Sequence, residues 1–365
     1  MRAAVLESTG TPLQIVHDVT LEPPRGGEVR VRIVACGVCH SDLSLCRGSF
    51  PLMGPTIPGH EAAGVVVECG PGVAALSVGD HVVLSPAPAC GRCALCAKGA
   101  FSVCANSVGI ATSSFPDGST RLSRPAGTVH RGLNLAAWAD EVVVPEQGAI
   151  RVHPDLPLDV ACVIGCAVQT GVGAVLNTAP VHPGDVVVVF GAGGVGISVV
   201  QGAVVAGAAT IVVSDPSPDR RALALRFGAT HVVDPAAQDP VSLVHSLTGI
   251  GADVAVDAAG SAALVEQALA AVRSGGTAVM VGAPPAEEEA RVGVAAALFT
   301  EKRLVGSLLG SCWAPRDIPR LIDLWQSGRL DLDGLVTRRR PLEEVEDALD
   351  DLEAGRGLRT VLMVS

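Results

Sequence analysis

The sequence predicts an α/β protein of two domains, one mostly β and the other a doubly wound parallel sheet with helices on both faces. The length of 365 residues exceeds what one hydrophobic core usually organises. Up to about residue 167, short β-branched runs alternate with Pro and Gly, which is typical of short strands and turns. From Val168 onward, apolar strands alternate with Ala-rich helical segments, which is the pattern of a parallel sheet.

Each domain shows its strands as apolar runs in chain order. The first contains "EVRVRIVACGV", "AAGVVVECG", "DHVVLSP" and "DEVVVPE", each bounded by turn residues. The second contains "DVVVVFG", "TIVVSD", "THVVD", "ADVAVDAAG" and "GTAVMVG". After Gly306 the pattern is mixed and ends in an acidic amphipathic helix and a last strand from Thr360 to Val364. We therefore place one domain at 1–167 and 309–365 and the other at 168–308.

Composition and charge disfavour several classes of partner. The net charge of −11 argues against nucleic acid and anionic membranes. The start "MRAAVLESTG" lacks the pattern of a signal peptide, which predicts a cytoplasmic protein. No charged residue occurs between Val186 and Val213, but the glycines there favour a buried strand, turn, helix and strand over a membrane span. We therefore expect neither a membrane nor a nucleic acid as partner.

A glycine-rich turn after the first strand of the second domain predicts a dinucleotide site. Its glycines follow the Gly-x-Gly-x-x-Gly spacing of the Rossmann fingerprint, in which they allow a tight turn and close approach of the pyrophosphate. The next helix offers unpaired N–H groups to the phosphates. The predicted contact residues are Gly191, Gly193, Gly194, Val195 and Gly196. Without a ligand, the same segment would be an ordinary βαβ turn.

The acidic residue at the end of the following strand predicts the form of the cofactor. Asp215 ends "TIVVSD", at the position where a carboxylate binds the adenosine ribose hydroxyls. A carboxylate there repels a 2′-phosphate, so we expect NAD rather than NADP. Arg220 lies nearby, and one arginine after the aspartate does not make an NADP pocket.

Four closely spaced cysteines predict a structural zinc site. Cys90, Cys93, Cys96 and Cys104 fall within "CGRCALCAKGAFSVC", in a chain whose cysteines we expect to stay reduced. Four thiolates close a tetrahedral zinc site and leave no open position, so this metal would hold a lobe at about residues 88–106 in place. The alternative of free buried thiols would have to explain four cysteines within fifteen residues.

A second metal site is suggested by three residues that lie far apart in the sequence. Cys39 stands in "CGVCHSD", His60 precedes Glu61 in "PGHEAAG", and Cys166 stands in "IGCAVQTGVGA". Two thiolates and one imidazole make the three-ligand zinc site that leaves a fourth position for water or substrate. Spacing alone does not connect these residues, and His60 taken singly is more often an ordinary structural histidine.

Together these motifs resemble the zinc-dependent alcohol dehydrogenases of the medium-chain dehydrogenase/reductase family. The resemblance extends over nearly the whole chain, through "CGVCHSD", "GHEAAGVV", the four-cysteine lobe, "GCAVQTGVGA", "GAGGVG", "VGAPP" and "LRTVLMV". The segment with "FPDGSTRL" further resembles the liver-type and formaldehyde dehydrogenase branch. The resemblance implies a GroES-like catalytic domain, a Rossmann domain, two zinc ions per chain and a homodimer paired around Leu298 to Leu309.

The resemblance also implies individual roles at the catalytic zinc. Cys39, His60 and Cys166 would bind the metal, with Glu61 as a transient or nearby ligand. Asp42 would accept a hydrogen bond from the His60 ring and fix its tautomer. Ser41 would take the alcohol proton. Further cofactor contacts are implied at His40, Val281, Ala283 and Arg359, and beside the ribose at Arg220.

The expected reaction is hydride transfer between a primary aliphatic or aromatic alcohol or aldehyde and NAD. The chain contains no tyrosine, which excludes the tyrosine-dependent alcohol oxidoreductases and favours a metal-assisted route. Matching positions predict an apolar substrate pocket formed by Phe50, Pro86, Val108, Gly109 and Leu133. A thiol-adduct formaldehyde dehydrogenase of mycothiol type, a pathway-specific reductase, an enzyme with permanently held NAD and a catalytically silent nucleotide-binding relative stay open.

The sequence departs from the liver-type pattern at two positions. Ser44 replaces the histidine that continues the proton relay, and His40 replaces the arginine that some relatives direct at the cofactor. The route of the proton beyond Ser41 is therefore not predicted.

Overall fold

The computed structural model describes residues 1–107 and 109–365. The strands in chain order are β1 (Ala3–Val5), β2 (Gln14–Val16), β3 (Thr20–Leu21), β4 (Glu28–Gly37), β5 (Thr56–Ile57), β6 (Glu61–Cys69), β7 (His81–Leu84), β8 (Leu122–Arg124), β9 (Gly127–Thr128), β10 (His130–Arg131), β11 (Glu141–Pro145), β12 (Ala149–Val152), β13 (Val186–Phe190), β14 (Thr210–Ser214), β15 (His231–Val233), β16 (Ala252–Asp257), β17 (Val272–Met280), β18 (Arg303–Gly306), β19 (Val336–Pro341) and β20 (Arg359–Met363). The α-helices are α1 (His40–Arg47), α2 (Ala94–Ala97), α3 (Gly109–Thr112), α4 (Leu158–Ala161), α5 (Ala167–Gly173), α6 (Gly194–Ala206), α7 (Pro218–Arg226), α8 (Pro240–Thr248), α9 (Ala262–Ala271), α10 (Val294–Thr300), α11 (Ala314–Gln326) and α12 (Val345–Glu353).

The chain divides into two compact units. The first contains Met1–Cys166, Trp313–Asp323 and Leu332–Ser365, and the second contains Ala167–Cys312 and Leu324–Asp331. The second unit thus takes residues 309–312 and 324–331, which the sequence analysis placed in the first domain. Local hydrogen bonds explain this, because the Asn177 amide donates to the Gly310 carbonyl (3.3 Å) and the Asp331 N–H donates to the Gln201 side chain (2.6 Å).

The first unit is built on a seven-stranded mixed sheet. Its order is β12-β7-β6-β4-β20-β19, and β11 pairs with β4 outside this path. The long strands β4 and β6 are antiparallel and place Gly37 opposite Glu61. This pairing brings the segment after β4 close to the segment before β6, and both segments carry predicted metal ligands. The last strand begins at Arg359, one residue earlier than expected.

The second unit is a six-stranded parallel sheet with the order β15-β14-β13-β16-β17-β18. Strand β13 lies in the middle, with Val187 paired to Ile211 on one side and to Val254 on the other. Its side chains from Val187 to Phe190 are fully buried, as expected for a strand covered on both faces. The chain order reverses beside β13, which is where doubly wound sheets bind their ligands. The predicted fold class is confirmed.

Helices α4 and α5 lie in the segment that is relevant to whether the chain could cross a membrane. In the part of the chain that the structure describes, no single helix is both long and apolar enough to cross a membrane. A bent pair of helical segments, Leu158–Gly165 and Ala167–Thr178, meets the criteria of length and composition alone.

Candidate metal centres and cofactor-binding loop

Three ligand side chains that are far apart in sequence converge in the first unit. Cys39 precedes α1, His60 precedes β6, and Cys166 follows a short 3-10 helix at Cys162–Gly165. Their donor atoms all lie within 4.8 Å of one another, and His60 Nε2 is 3.2 Å from Cys166 Sγ. The three residues are 6%, 4% and 7% exposed. The fold therefore makes the connection that sequence spacing alone could not.

Asp42 orients this cluster by binding the His60 ring on the side away from the two thiols. Its carboxylate is fully buried and accepts a hydrogen bond from His60 Nδ1 (3.0 Å), so that the other ring nitrogen, Nε2, faces Cys166 Sγ. The same carboxylate accepts the backbone N–H groups of Gly59 (2.9 Å) and Cys39 (3.2 Å). One side chain thus fixes both segments that carry the first two ligands.

The electrostatics of the cluster favour one ionised thiol. The hydrogen bond from Cys166, together with His60 and the positive charge of Arg359, holds the pKa of Cys39 well below its ordinary value despite burial. The hydrogen bond to Cys39 and burial raise the pKa of Cys166 well above its ordinary value. Burial opposes the positive charge of His60, but the neighbouring Asp42 carboxylate and Cys39 raise the pKa of His60 well above its ordinary value. A metal ion bound here would therefore displace protons from Cys166 and His60.

Glu61 and Arg359 form a buried pair beside the cluster. Arg359 Nε lies 3.5 Å from Glu61 Oε2, and Arg359 Nη1 donates to the Val38 carbonyl (3.0 Å). Burial opposes the guanidinium charge, but the negative charges of Glu61 and Cys39 raise the pKa of Arg359 above its ordinary value. A Cβ atom at Gly37 would lie 2.0 Å from Glu61 Oε2, so a side chain at this position would require the carboxylate to move.

The four-cysteine lobe forms a second cluster in the same unit. The sulfur atoms of Cys90, Cys93, Cys96 and Cys104 lie within 4.8 Å of one another. Backbone N–H groups point at them, including Cys90 N to Cys104 Sγ (3.3 Å) and Cys96 N to Cys93 Sγ (3.4 Å). Such donors favour thiolate over thiol. A backbone hydrogen bond from residue 92 and the Asn106 amide lower the pKa of Cys90 to about 6.

Both donor sets fit zinc. A buried group of two sulfurs and an imidazole matches an open catalytic site, and four sulfurs with inward N–H donors match a closed structural site. The lobe is also packed against a later segment of the same unit, because Phe101 stacks on Trp313 with ring centroids 4.8 Å apart. Trp313 was not identified from the sequence, since no motif connects it to the lobe.

The remaining predicted residues of the first unit lie around α1 and in nearby loops. His40 is exposed and Ser41 is half-buried, both in the first turn of α1. In the predicted pocket, Phe50 is half-buried, Pro86 and Leu133 are buried, and Gly109 begins α3. Val108 lies outside the described residues.

Asn134 is a residue that the sequence analysis missed. Its side-chain amide donates to the Pro86 carbonyl (2.7 Å) and so connects two predicted pocket segments. Leu133, Asn134 and Ala136 all have positive φ, an uncommon cluster for residues other than glycine. The sequence carries no clear signal for this turn, because the run "LNLA" contains no glycine and does not predict positive φ.

In the second unit, the glycine turn has the geometry of a phosphate-binding loop. Gly191 has φ +92°, and a Cβ at Gly196 would lie 1.9 Å from the Gly191 carbonyl. Gly193 precedes α6 and has open space where a Cβ would stand. Gly194 and Val195 open the helix, so their N–H groups lie at its positive end. This loop fits a pyrophosphate.

Two aspartates at the carboxyl ends of strands β14 and β16 hold the backbone next to that loop. Asp215 is 3% exposed and accepts the N–H groups of Ala192 (2.7 Å) and Ser217 (2.8 Å). Asp257, which the sequence analysis missed, accepts those of Ala259 and Gly260 (both 3.0 Å). Burial raises the pKa of Asp257 above its ordinary value. Its position at the end of a strand, before "AAG", was the available signal.

The other predicted cofactor residues of the second unit lie close to this edge. The Asp257 carbonyl accepts the N–H of Val281 (3.0 Å), and Ala283 lies against Gly260. Val281 is half-buried and Ala283 is exposed. Arg220 lies half-buried in the first turn of α7.

Comparison with known proteins adds the family. Residues 25–155 match the alcohol dehydrogenase GroES-like domain, and residues 194–327 match the zinc-binding dehydrogenase domain. The chain belongs to the zinc-binding alcohol dehydrogenases. It is therefore an oxidoreductase that acts on alcohols, with zinc and a nicotinamide cofactor, and the silent-relative alternative is set aside.

Individual alcohol dehydrogenases match over their full length. An NDMA-dependent alcohol dehydrogenase of Amycolatopsis methanolica is 37% identical, with 100% of this chain and 99% of that protein covered. A class-3 alcohol dehydrogenase of Cereibacter sphaeroides is 37% identical, with 99% of each covered. The crystal structure of benzyl alcohol dehydrogenase from Acinetobacter calcoaceticus superposes with a TM-score of 0.94 at 32% identity, covering 100% and 99% of the two chains.

Proposed function

We propose that this zinc-binding alcohol dehydrogenase oxidises primary aliphatic or aromatic alcohols with NAD and holds two zinc ions per chain. The observation that carries the proposal is the buried convergence of Cys39, His60 and Cys166, with Asp42 behind the imidazole. Four sulfurs in the lobe account for the second zinc. The benzyl alcohol dehydrogenase similarity supports an aromatic primary alcohol as one substrate.

In the proposed mechanism, each residue of the chain has a limited task. When bound, the zinc lowers the pKa of the substrate hydroxyl and the nicotinamide accepts the hydride. Asp42 keeps the proton on His60 Nδ1, so that Nε2 remains a ligand. Ser41, in the first turn of α1, would relay the hydroxyl proton by taking it up while its own hydroxyl proton passes to a further acceptor. The buried residues Pro86 and Leu133 would line the proposed substrate pocket and keep water from the reacting carbon.

NAD is favoured by the carboxylate at the end of β14. Asp215 is held by two backbone N–H groups at the edge of the sheet where the glycine loop ends. A fixed negative charge there binds ribose hydroxyls and repels a 2′-phosphate. We assign the pyrophosphate to Gly191–Gly196, and we keep His40, Arg220, Val281, Ala283 and Arg359 as proposed contacts.

A homodimer is supported by an exposed apolar surface at the end of the parallel sheet. Strand β18 is one of the two edge strands, and the preceding helix α10 exposes Val294 (82%), Leu298 (70%) and Phe299 (84%). An open edge strand and large exposed apolar side chains favour pairing with a second copy. Sedimentation analysis tests this, because Phe299→Asp should convert a dimer into a monomer. A cytoplasmic location stays a prediction from the sequence.

The function is tested by nicotinamide absorbance on a panel of alcohols. The panel contains hexanol, benzyl alcohol, and formaldehyde with glutathione or mycothiol, each with and without a zinc chelator. We expect chelator-sensitive NAD reduction with hexanol or benzyl alcohol. Turnover only with a thiol and formaldehyde would replace the proposal with the thiol-adduct activity, which the class-3 relative favours.

A further arm addresses a cofactor that does not dissociate. The Amycolatopsis relative is named for its dependence on NDMA, so each alcohol is also assayed with NDMA and without added NAD. Turnover confined to this arm would favour the alternative of a permanently held NAD, which the sequence analysis left open. A nicotinamide absorbance in the purified protein would identify the retained cofactor.

A further inference from the structure

Two charged side chains, Arg221 and Asp234, meet beside the backbone of Asp215 where strands β14 and β15 end. The two strands are parallel neighbours, with Ser214 paired to Val233, so that Asp215 and Asp234 follow side by side. Arg221, from helix α7, lies between the two loops. Its side chain is 17% exposed and that of Asp234 is 33% exposed. This cluster stands next to the carboxylate that we propose to select NAD.

Each end of the Arg221 guanidinium has its own partner. Nη1 donates to the carbonyls of Asp215 (2.7 Å) and Pro216 (2.9 Å). Nη2 lies 3.2 Å from the Asp234 carboxylate. The first pair of bonds fixes the loop that carries Asp215, and the ion pair balances the positive charge.

The pairing of Arg221 with Asp234 affects whether this region favours NAD or NADP. Two consecutive arginines follow Asp215 in α7, and arginine is the side chain that accommodates the 2′-phosphate of NADP. If the positive charge of Arg221 had no acidic partner, the loops after β14 and β15 would attract the 2′-phosphate that Asp215 repels. The ion pair with Asp234 occupies Nη2 and offsets its charge.

We propose that Asp234 is a specificity-determining residue that favours NAD by withholding Arg221 from a 2′-phosphate. This inference rests on the proposed NAD preference. Asp234 touches no cofactor in this account and acts through Arg221, so it is a positioning residue. The Asp234 Oδ1 atom also accepts the Ala236 N–H (3.0 Å), a bond that an asparagine oxygen can keep. Asp234→Asn therefore removes the charge and preserves the turn.

The test is binding of two nucleotide fragments by calorimetry to the full-length zinc-loaded protein. Adenosine 2′,5′-bisphosphate carries the distinguishing phosphate, and 5′-AMP lacks it. We expect Asp234→Asn to bind the bisphosphate about fivefold more tightly, with unchanged affinity for AMP. The gain should shrink at high salt, because the added attraction is electrostatic. The NADP-to-NAD ratio of kcat/KM should rise by a similar factor.

A matched control separates this effect from a general loss of negative charge. Asp219 lies exposed in the first turn of the same helix and forms no ion pair with Arg221 among the contacts of the described residues. Asp219→Asn should leave bisphosphate binding within twofold of the wild type. Adding Arg221→Ala to Asp234→Asn should abolish the gain, since the liberated guanidinium is then missing.

The outcomes distinguish this inference from the proposed function. Unchanged bisphosphate affinity in Asp234→Asn overturns the inference, as does an equal gain in Asp219→Asn or a gain that persists without Arg221. If thermal unfolding shows that Asp234→Asn is damaged, Asp234→Ser is measured under the same criteria. A wild type that prefers NADP overturns the proposed NAD preference itself.

Discussion

The two cysteine clusters of the first unit are built in opposite ways. The lobe draws its four sulfurs from fifteen consecutive residues, and Cys90 and Cys93 stay half-exposed. The Cys39–His60–Cys166 cluster draws its ligands from three segments, the last of which lies 106 residues after His60, and buries all of them. The first needs only a loop, whereas the second needs the pairing of β4 with β6.

The two clusters therefore differ in the interactions that hold their ligands in place. In the lobe, local N–H donors and one ring stack orient the sulfurs, so the metal itself supplies much of the order. In the buried cluster, Asp42 and the strand pairing orient the ligands even without a metal. Loss of metal should therefore disorder the lobe and inactivate the buried cluster without unfolding it.

Removal of a ligand from the buried cluster should have the largest effect. We expect Cys166→Ser to lower kcat/KM for an alcohol by about a thousandfold, because the Lewis-acid contribution amounts to several kcal/mol. Metal analysis should show one zinc per chain instead of two. Cys162→Ser is the matched control, since Cys162 is also buried, on the preceding turn, but lies outside the cluster. Comparable activity loss in both variants would contradict the assignment.

Removal of a ligand from the lobe should act on stability. We expect Cys96→Ser to lose one zinc and to lower the free energy of unfolding by about 3 kcal/mol, as loss of a structural metal ligand does. Thermal denaturation and zinc analysis measure this. Activity per remaining zinc at low temperature should stay within twofold of the wild type. A thousandfold loss of activity per remaining zinc, with the free energy of unfolding unchanged, would contradict a structural role of the lobe.

Asp42→Asn should weaken the buried centre without removing a ligand. The asparagine cannot hold the His60 proton as a carboxylate does, so zinc affinity should fall about 10- to 100-fold. Competition with a chelator measures this affinity separately from activity. Asp80→Asn provides a control, because Asp80 also accepts a backbone N–H, from Ser77 (2.8 Å), at a site without metal ligands. Equal zinc release from both variants would argue against an orienting role of Asp42.

The smallest expected effect concerns the ring stack that anchors the lobe. Phe101→Leu should lower the free energy of unfolding by about 1 kcal/mol and shift Trp313 fluorescence to longer wavelength. Zinc content and kcat should not change. Val103→Ala, on the same 3-10 helix but 48% exposed, serves as the control. An unaltered emission spectrum in Phe101→Leu would show that the stack does not persist in solution.

The comparison also shows how far sequence reasoning could reach. The lobe and the glycine loop were predicted from local spacing, because consecutive residues supply nearly all their geometry. Cys39, His60 and Cys166 were joined only through resemblance to a family, since no local rule connects distant segments. Trp313, Asn134, Asp257 and the Arg221–Asp234 pair were missed, because each acts through a tertiary contact that spacing does not encode.

Gly37 has a consequence for how this enzyme can evolve. It carries no reacting atom, yet any side chain there would collide with the Glu61 carboxylate beside the ligands. In a library of all single substitutions selected for alcohol oxidation, position 37 should therefore tolerate change less well than other positions of β4 that carry no ligand. Glycine at position 37 leaves the space that the Glu61 carboxylate occupies. The larger the side chain that replaces it, the fewer such variants the selected library should contain.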